Sequence, residues 1–249
     1  MAQLKIFQKG FNYSQDGQGN RLVYHMQGCN MRCPWCSNPE GMYAENPLST
    51  KKKPVLLYET EELVKEALSC RLMFFDGGGV TFTGGEPTLQ FSALEEALQA
   101  LQENGIHTAI ECNASHPQLP ALFPYIDQLI MDFKHWNSAK HREITGMGNE
   151  TVKKNLASAF AKHGDVLIRT VLVHGVNDSR EDAEQFAAFY RQFDTSRARF
   201  EFLPYHEYGK AKWEQCGRTY VIKDGFVSEK ITTIYRDVYQ RSGLTVVAT

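Results

Sequence analysis

The sequence predicts an α/β fold: a partial (β/α)6 barrel of the TIM type that is open on one side. Apolar, β-rich runs alternate with helical patterns, which is the order expected of parallel βα units. An open doubly wound sheet would give the same alternation. Polar, ionisable or glycine-rich groups follow all six predicted strands, however, and α/β barrels build their active sites on that face. Six units instead of the usual eight leave the predicted barrel incomplete.

The individual elements follow from periodicity and from β-branched or aromatic content. The predicted strands lie near residues 22–26, 80–83, 108–112, 128–133, 166–173 and 200–203, with a last one near 245–248. Helical patterns cover residues 60–69, 92–104, 117–124, 150–162, 179–192 and 227–241. In the second of these, Leu94, Leu98 and Leu101 recur at three- and four-residue spacing, which predicts one buried helix face.

Length and composition favour one domain. The chain has 249 residues, 42% of them hydrophobic, and single α/β barrels commonly have this length. We expect a single domain over residues 1–249, with an N-terminal extension at about 1–20 and a C-terminal helix and strand at about 224–249. We also expect a monomer.

Charge and hydropathy narrow the possible partners. The formal net charge of −2 gives no argument for nucleic acid or an anionic membrane surface. The N-terminus lacks the apolar core of a secretory signal, and no apolar run is long enough to cross a bilayer. We therefore expect a soluble, cytoplasmic protein. The charge run Lys51, Lys52 and Lys53 is either a solvated loop or a docking patch for an acidic partner.

Three of the six cysteines form a tight cluster, Cys29, Cys33 and Cys36. In a reducing compartment such a cluster indicates metal or redox chemistry, not a disulfide framework. Thiolates prefer soft metals, so zinc and iron–sulfur are the candidates. A structural zinc site closes with four ligands, and His25 could supply the fourth. An electron-carrying cluster also needs a fourth cysteine. Three cysteines on a four-iron cube would leave one iron open to substrate.

Other strand ends carry further candidate residues. Gly84 and Gly85 precede Glu86 and Pro87, and such glycines either make a turn or allow close backbone approach to a ligand. Asp132 and Lys134 are two residues apart on a strand and share one face. They form either a surface ion pair or part of a binding site.

Together these segments resemble the activating enzymes of glycyl radical enzymes, a family within the radical S-adenosylmethionine (SAM) superfamily. The resemblance extends over nearly the whole chain. Its landmarks lie at residues 16–21, 28–39, 77–87, 105–108, 132–134, 168–171 and 203–213.

The resemblance implies that Cys29, Cys33 and Cys36 hold a 4Fe-4S cluster that reductively cleaves SAM to methionine and a 5′-deoxyadenosyl radical. It also implies that the radical abstracts hydrogen from a backbone glycine of a partner glycyl radical enzyme, such as pyruvate formate-lyase. A flavodoxin or ferredoxin would supply the electron. The residues that the resemblance places at SAM are Trp35, Asn38, Gly84, Gly85, Glu86, Asp132, Lys134 and His206.

Less direct expectations concern a cation and the partner loop. Members of the family bind a monovalent cation beside SAM, and Glu111 and Asp132 match that position. Pyruvate formate-lyase activases carry aspartate in place of Glu111 and threonine in place of Cys112, so the match is incomplete. Asp16 and Arg169 match positions that contact the incoming loop; a turn aspartate and a strand-end arginine in a surface pair are the alternatives.

Two other functions fit part of the pattern. One is a radical SAM enzyme acting on a small molecule, similar to 7-carboxy-7-deazaguanine synthase, which shares the glycine-rich segment. The Asp132–Lys134 motif and the segment ending in His206 favour the activase instead. The other is a non-catalytic iron–sulfur or zinc-binding module. Formation of 5′-deoxyadenosine from SAM separates an enzyme from such a module.

Overall fold

The computed structural model describes residues 3–43 and 55–248. Within these residues the chain forms one sheet of nine strands. The strands are β1 (Leu4–Tyr13), β2 (Asn20–Met26), β3 (Leu56–Tyr58), β4 (Gly79–Gly84), β5 (Thr108–Cys112), β6 (Gln128–Asp132), β7 (Val166–Leu172), β8 (Ala198–Pro204) and β9 (Val246–Val247). The run Lys51, Lys52 and Lys53 lies outside the described residues.

The sheet order is β3-β1-β2-β4-β5-β6-β7-β8-β9. Pairing is parallel from β2 through β9, and β1 is antiparallel to both β2 and β3. The two ends of this order do not pair, so the barrel is incomplete and open. The predicted partial barrel is confirmed, with a two-strand antiparallel extension at one edge and β9 at the other.

Seven α-helices accompany the strands in the described ranges. They are α1 (Thr60–Ser69), α2 (Phe91–Glu103), α3 (Ser138–Thr145), α4 (Glu150–Lys162), α5 (Arg180–Tyr190), α6 (Lys210–Gln215) and α7 (Glu229–Arg241). Leu94, Leu98 and Leu101 of α2 are fully buried, so the predicted core face is confirmed. The short helical pattern near 117–124 is two 3₁₀ turns, at Leu119–Ala121 and Phe123–Tyr125. No helix in the described part of the chain is both long and apolar enough to span a membrane.

The N-terminal region contains a strand that the sequence did not predict. Residues 4–13 form β1, although their side chains do not alternate regularly between buried and exposed. An irregularity in the β1–β2 register between Ile6 and Gln8 accounts for part of the lost alternation. Strand β3 has three residues and was also not predicted. Periodicity detects neither an irregular strand nor a three-residue one.

A buried arginine fixes the loop between β1 and β2. The Arg21 side chain is fully buried and donates from Nε to Thr81 Oγ1 at 2.6 Å and from Nη2 to Val80 O at 2.8 Å. Thr81 Oγ1 in turn donates to Asp16 O at 2.7 Å. These bonds join β2 and β4 to the loop, and they bring Asp16 beneath the strands that carry the site.

Candidate active site

A cavity of about 200 Å³ lies at the carboxyl ends of the parallel strands. Among the residues predicted from the sequence it brings together Cys29, Cys33, Trp35, Cys36, Asn38, Gly84, Gly85, Glu111, Asp132, Lys134 and His206. Glu86, Asp16 and Arg169 are not part of its lining. Residues from β4, β5, β6 and the loop after β8 thus meet at one place, as expected for the active face of an α/β barrel.

The three clustered cysteines line this cavity together. The backbone N–H of Met31 donates to Cys29 Sγ at 3.4 Å, and the backbone N–H of Asn38 donates to Cys36 Sγ at 3.4 Å. Burial, with smaller effects of neighbouring negative groups, raises the pKa of the Cys29 and Cys36 thiols to about 12. Because a metal binds thiolates, loading the site releases these protons. Three thiols in one cavity, two of them beside amide donors, fit an iron–sulfur cluster.

The zinc alternative required His25 as a fourth ligand. His25 does not line the cavity, and its ring packs against Phe7 with 5.7 Å between the ring centroids. Among the described residues, no three His, Cys, Asp or Glu side chains converge as closely as a single metal ion requires. The geometry around His25 therefore gives no support to a zinc site.

The end of β4 packs directly on the cysteine loop. Gly85 N donates to Met26 O at 2.8 Å, and Glu86 N donates to Gly28 O at 2.7 Å. A Cβ atom on Gly85 would lie 2.1 Å from Gly28 O and 2.6 Å from Gly41 O. Glycine is required here because any side chain would separate β4 from the loop that carries the cysteines.

The side chain of Glu86 makes structural contacts within the protein. Its side chain is fully buried, and its carboxylate accepts from Asn113 N at 2.7 Å and from Thr88 N at 3.1 Å. Burial raises its pKa to about 7. The carboxylate caps the 3₁₀ turn Pro87–Gln90, and Glu86 is not among the residues that line the cavity. The side chain of Glu86 thus ties β4 to the end of β5, and the contact of its segment with SAM stays a prediction.

Asp132 and Lys134 form an ion pair on the cavity wall, with 3.1 Å between Lys134 Nζ and Asp132 Oδ2. The side chains are 21% and 12% exposed, so the pair differs from an ordinary surface ion pair. Burial acts to lower the pKa of Lys134, but Asp132 and Cys33 outweigh it and raise that pKa. Lys134 therefore stays cationic and can bind a carboxylate.

Several lining residues were not predicted as site residues. They are Met31, Ser37, Thr83, Cys112, Asn113, Val171, Leu203 and Tyr205. Most adjoin a predicted motif, so their position at a strand end was the available signal. Cys112 is buried and lines the same cavity as the three clustered cysteines. His206 stacks on Tyr208 with 4.2 Å between ring centroids, and burial lowers its pKa, which favours the neutral ring.

Arg169 lies beneath the cavity, 4% exposed, between two carboxylates. It donates to Glu111 Oε1 at 2.8 Å, to Glu201 Oε2 at 2.7 Å and to Gln15 O at 2.6 Å. Burial acts to raise the pKa of Glu111, but Arg169 outweighs it and lowers that pKa. The alternative of a surface pair is wrong for Arg169, because its guanidinium ties three strands and the β1–β2 loop together.

Asp16 is close to this group and carries a perturbed carboxyl. Its side chain accepts from Asn12, while burial and the neighbouring Glu111 raise its pKa to about 6. The ordinary value for aspartate is 3.8, so the folded protein holds this proton more tightly than the unfolded chain. The resulting stabilisation is present below pH ~4 and is lost as the pH rises through about 6.

We expect Asp16→Asn to stabilise the protein above pH ~6, because the amide places no negative charge beside Glu111. The gain in the free energy of unfolding should shrink as the pH falls toward the ordinary aspartate value. Urea unfolding of wild type and variant at pH ~5 and ~8 measures both differences. An equal difference at the two pH values would contradict the raised pKa.

Known proteins share both the sequence and the fold. The family model of the radical SAM superfamily matches residues 23–187. The pyruvate formate-lyase-activating enzyme of Staphylococcus epidermidis is 34% identical over 218 residues, which cover 84% of this chain and 84% of that enzyme. A domain of the pyruvate-formate lyase-activating enzyme from Bacteroides vulgatus superposes with a TM-score of 0.57 at 25% identity, covering 69% of this chain and 98% of that domain.

A more distant likeness concerns the fold alone. Streptococcus suis SuiB bound to S-adenosylmethionine superposes with a TM-score of 0.63 at 17% identity, covering 91% of this chain and 49% of that one. The chain therefore belongs to the radical SAM superfamily as a homologue of the pyruvate formate-lyase-activating enzymes, and a 4Fe-4S cluster and SAM are its cofactors.

Proposed function

We propose that this enzyme removes a hydrogen atom from a backbone glycine of a partner glycyl radical enzyme, with a pyruvate formate-lyase as the first candidate. The observation that carries the proposal is the match to pyruvate formate-lyase-activating enzymes over 84% of both chains. The open edge of the barrel supports it, because a loop of a folded partner needs a way in from the side.

In this proposal Cys29, Cys33 and Cys36 hold the cluster and leave one iron for SAM. When bound, the two cofactors supply reductive cleavage of the sulfonium and with it a hydrogen-abstracting carbon radical. Lys134 binds the SAM carboxylate, and Asp132 keeps the Lys134 ammonium in place at 3.1 Å. The backbone of Gly84 and Gly85 approaches the methionyl amine, because neither residue has a side chain in the way.

The nucleoside of SAM would lie against Trp35, Asn38 and His206. Trp35 is 6% exposed, so its ring has a fixed position on the cavity wall, and His206 lines the same cavity. A water-excluding wall matters because a carbon radical reacts with whatever group it meets. These residues orient the cofactor and shield it, and none of them needs to move a proton.

Glu111 and Asp132 remain the candidate ligands of a monovalent cation, because carboxylate oxygens suit hard cations. In the present structure the Glu111 carboxylate accepts from Arg169 at 2.8 Å and from Thr83 Oγ1 at 3.1 Å. Asp16 and Arg169 stay candidates for the partner loop, acting from beneath the cavity. A flavodoxin or ferredoxin remains the proposed electron donor.

The test is an anaerobic incubation of the reconstituted, reduced protein with SAM and a purified pyruvate formate-lyase. We expect stoichiometric 5′-deoxyadenosine and a glycyl radical doublet in the electron paramagnetic resonance spectrum. A partner with its radical glycine replaced by alanine is the matched control and should give no doublet. Formation of 5′-deoxyadenosine without a doublet from any glycyl radical enzyme tried would overturn the activase proposal in favour of a small-molecule substrate.

A further inference from the structure

Helix α6 packs on the cysteine loop through two hydrogen bonds and one close approach of the backbone. Trp213 Nε1 donates to Cys36 O at 2.9 Å, and Lys212 Nζ donates to Asn38 Oδ1 at 3.0 Å. A Cβ atom on Gly209, just before the helix, would lie 2.5 Å from Cys36 O. Glycine at that position lets the α6 backbone approach the loop directly after its third cysteine.

Lys212 is held in place from its other side. Its Nζ atom is 3.2 Å from Glu40 Oε1, and the two side chains are 34% and 24% exposed. The ammonium therefore lies between a carboxylate and the Asn38 amide. Two partners restrict a long, flexible side chain that would otherwise have many rotamers.

The contact with Lys212 determines the orientation of the Asn38 side-chain amide. An ammonium has three donors and no acceptor, so the atom of Asn38 that faces it must be the carbonyl oxygen. The Nδ2 group is then directed away from Lys212, and within the described ranges it has no hydrogen-bond partner. Asn38 lines the cavity, and the two N–H donors on its Nδ2 would suit an acceptor on a ligand there.

We propose that Lys212 is a positioning residue for SAM: it fixes Asn38 as a hydrogen-bond donor toward an acceptor on the nucleoside. Ribose oxygens and adenine ring nitrogens are acceptors of the required kind. This inference rests on the proposed placement of SAM in the cavity. Without Lys212 the amide is free to rotate, and it would present its oxygen to those acceptors for part of the time.

The test measures SAM binding instead of turnover. The dissociation constant of SAM for the cluster-loaded protein is obtained by anaerobic equilibrium dialysis for wild type and Lys212→Met. We expect it to rise about tenfold, which corresponds to ~1.4 kcal/mol. Cluster iron content and melting temperature should stay at wild-type values, because Trp213 and Gly209 still anchor α6. Lys212→Arg keeps a donor toward Asn38 and should bind SAM nearly as wild type does.

Lys210→Met is the matched control. Lys210 lies two residues earlier on α6 and pairs with Glu207 at 2.9 Å, and it does not contact the cysteine loop in any described interaction. This variant should bind SAM as wild type does. Equal weakening by both lysine variants would show a general charge effect and would overturn the specific role of Lys212.

A double-mutant cycle with Asn38→Ala separates positioning from a structural role. If Lys212 acts through Asn38, the dissociation constant of SAM for the double variant should be no more than about tenfold above that of wild type. Either single change already removes the interaction, so the second change adds nothing. An additive loss of about a hundredfold would overturn the inference, as would loss of the cluster from Lys212→Met. Wild-type protein that binds SAM but gives no glycyl doublet would overturn the proposed function and leave this inference intact.

Discussion

Replacing Cys36 by alanine is expected to reduce 5′-deoxyadenosine formation to background and to remove the 4Fe-4S cluster. Cys36 lines the cavity with Cys29 and Cys33, and under the proposed ligand assignment its loss leaves the cluster two of its three protein ligands. Thiolate is also the donor that a soft metal prefers, and alanine offers no substitute. Iron and sulfide content, cluster absorbance and 5′-deoxyadenosine yield measure the effect after anaerobic reconstitution.

The controls for this experiment come from the other cysteines. Cys70 lies at the C-terminal end of α1, outside the cavity lining, and Cys70→Ala should keep the cluster and full cleavage of SAM. Cys112 lines the cavity without belonging to the cysteine loop, and Cys112→Ser should also keep the cluster. A variant Cys36→Ala that retained both cluster and turnover would refute the ligand assignment.

The sequence predicted the location of the site better than its internal contacts. Residues after β4, β5 and β6 were expected to meet because the carboxyl ends of parallel strands share one edge, and they do meet in the cavity. Asp132 and Lys134 were expected on one face of a strand; β6 ends at Asp132, yet both side chains line the cavity as a pair. Such arguments need only local geometry and strand direction.

Contacts between distant segments could not be predicted in this way. Helix α6 has six residues, too few for a periodic pattern, and it brings Lys212 to Asn38 across 174 positions of sequence. The hydrogen bond from Arg169 to Gln15 O joins residues 154 positions apart. The orientation of the Glu86 side chain could not be predicted from the sequence either, because a glutamate in a glycine-rich turn can face a ligand or cap the next turn. In each case the deciding partner comes from tertiary packing.

Arg169→Met is expected to lower the free energy of unfolding by about 3–5 kcal/mol, which is typical when one partner of a buried ion pair is removed. Arg169 is 4% exposed and pairs with Glu111 at 2.8 Å and Glu201 at 2.7 Å, whose side chains are 18% and 2% exposed. Methionine fills similar space but leaves both carboxylates without the guanidinium. Urea unfolding with linear extrapolation measures the loss.

The destabilisation by Arg169→Met should also depend on pH. Without the guanidinium, nothing from Arg169 offsets the effect of burial, which raises the pKa of Glu111, so the folded variant binds this proton more tightly than wild type does. Its deficit in stability is therefore largest at neutral and alkaline pH and shrinks as the solution becomes acidic. Adding Glu201→Gln should recover part of the loss at neutral pH, because it removes one of the two negative charges that Arg169 balances.

A half-exposed arginine on the neighbouring strand provides the comparison for Arg169. Arg199 pairs with Asp165, and the two side chains are 36% and 34% exposed, so water screens this pair. Arg199→Met should lower the free energy of unfolding by no more than ~1 kcal/mol, and this loss should depend little on pH. If both methionine variants lowered the free energy of unfolding equally, the buried ion pairs of Arg169 would contribute no more to stability than a surface ion pair does. The anchoring of β5, β7, β8 and the β1–β2 loop would then have to come from packing alone.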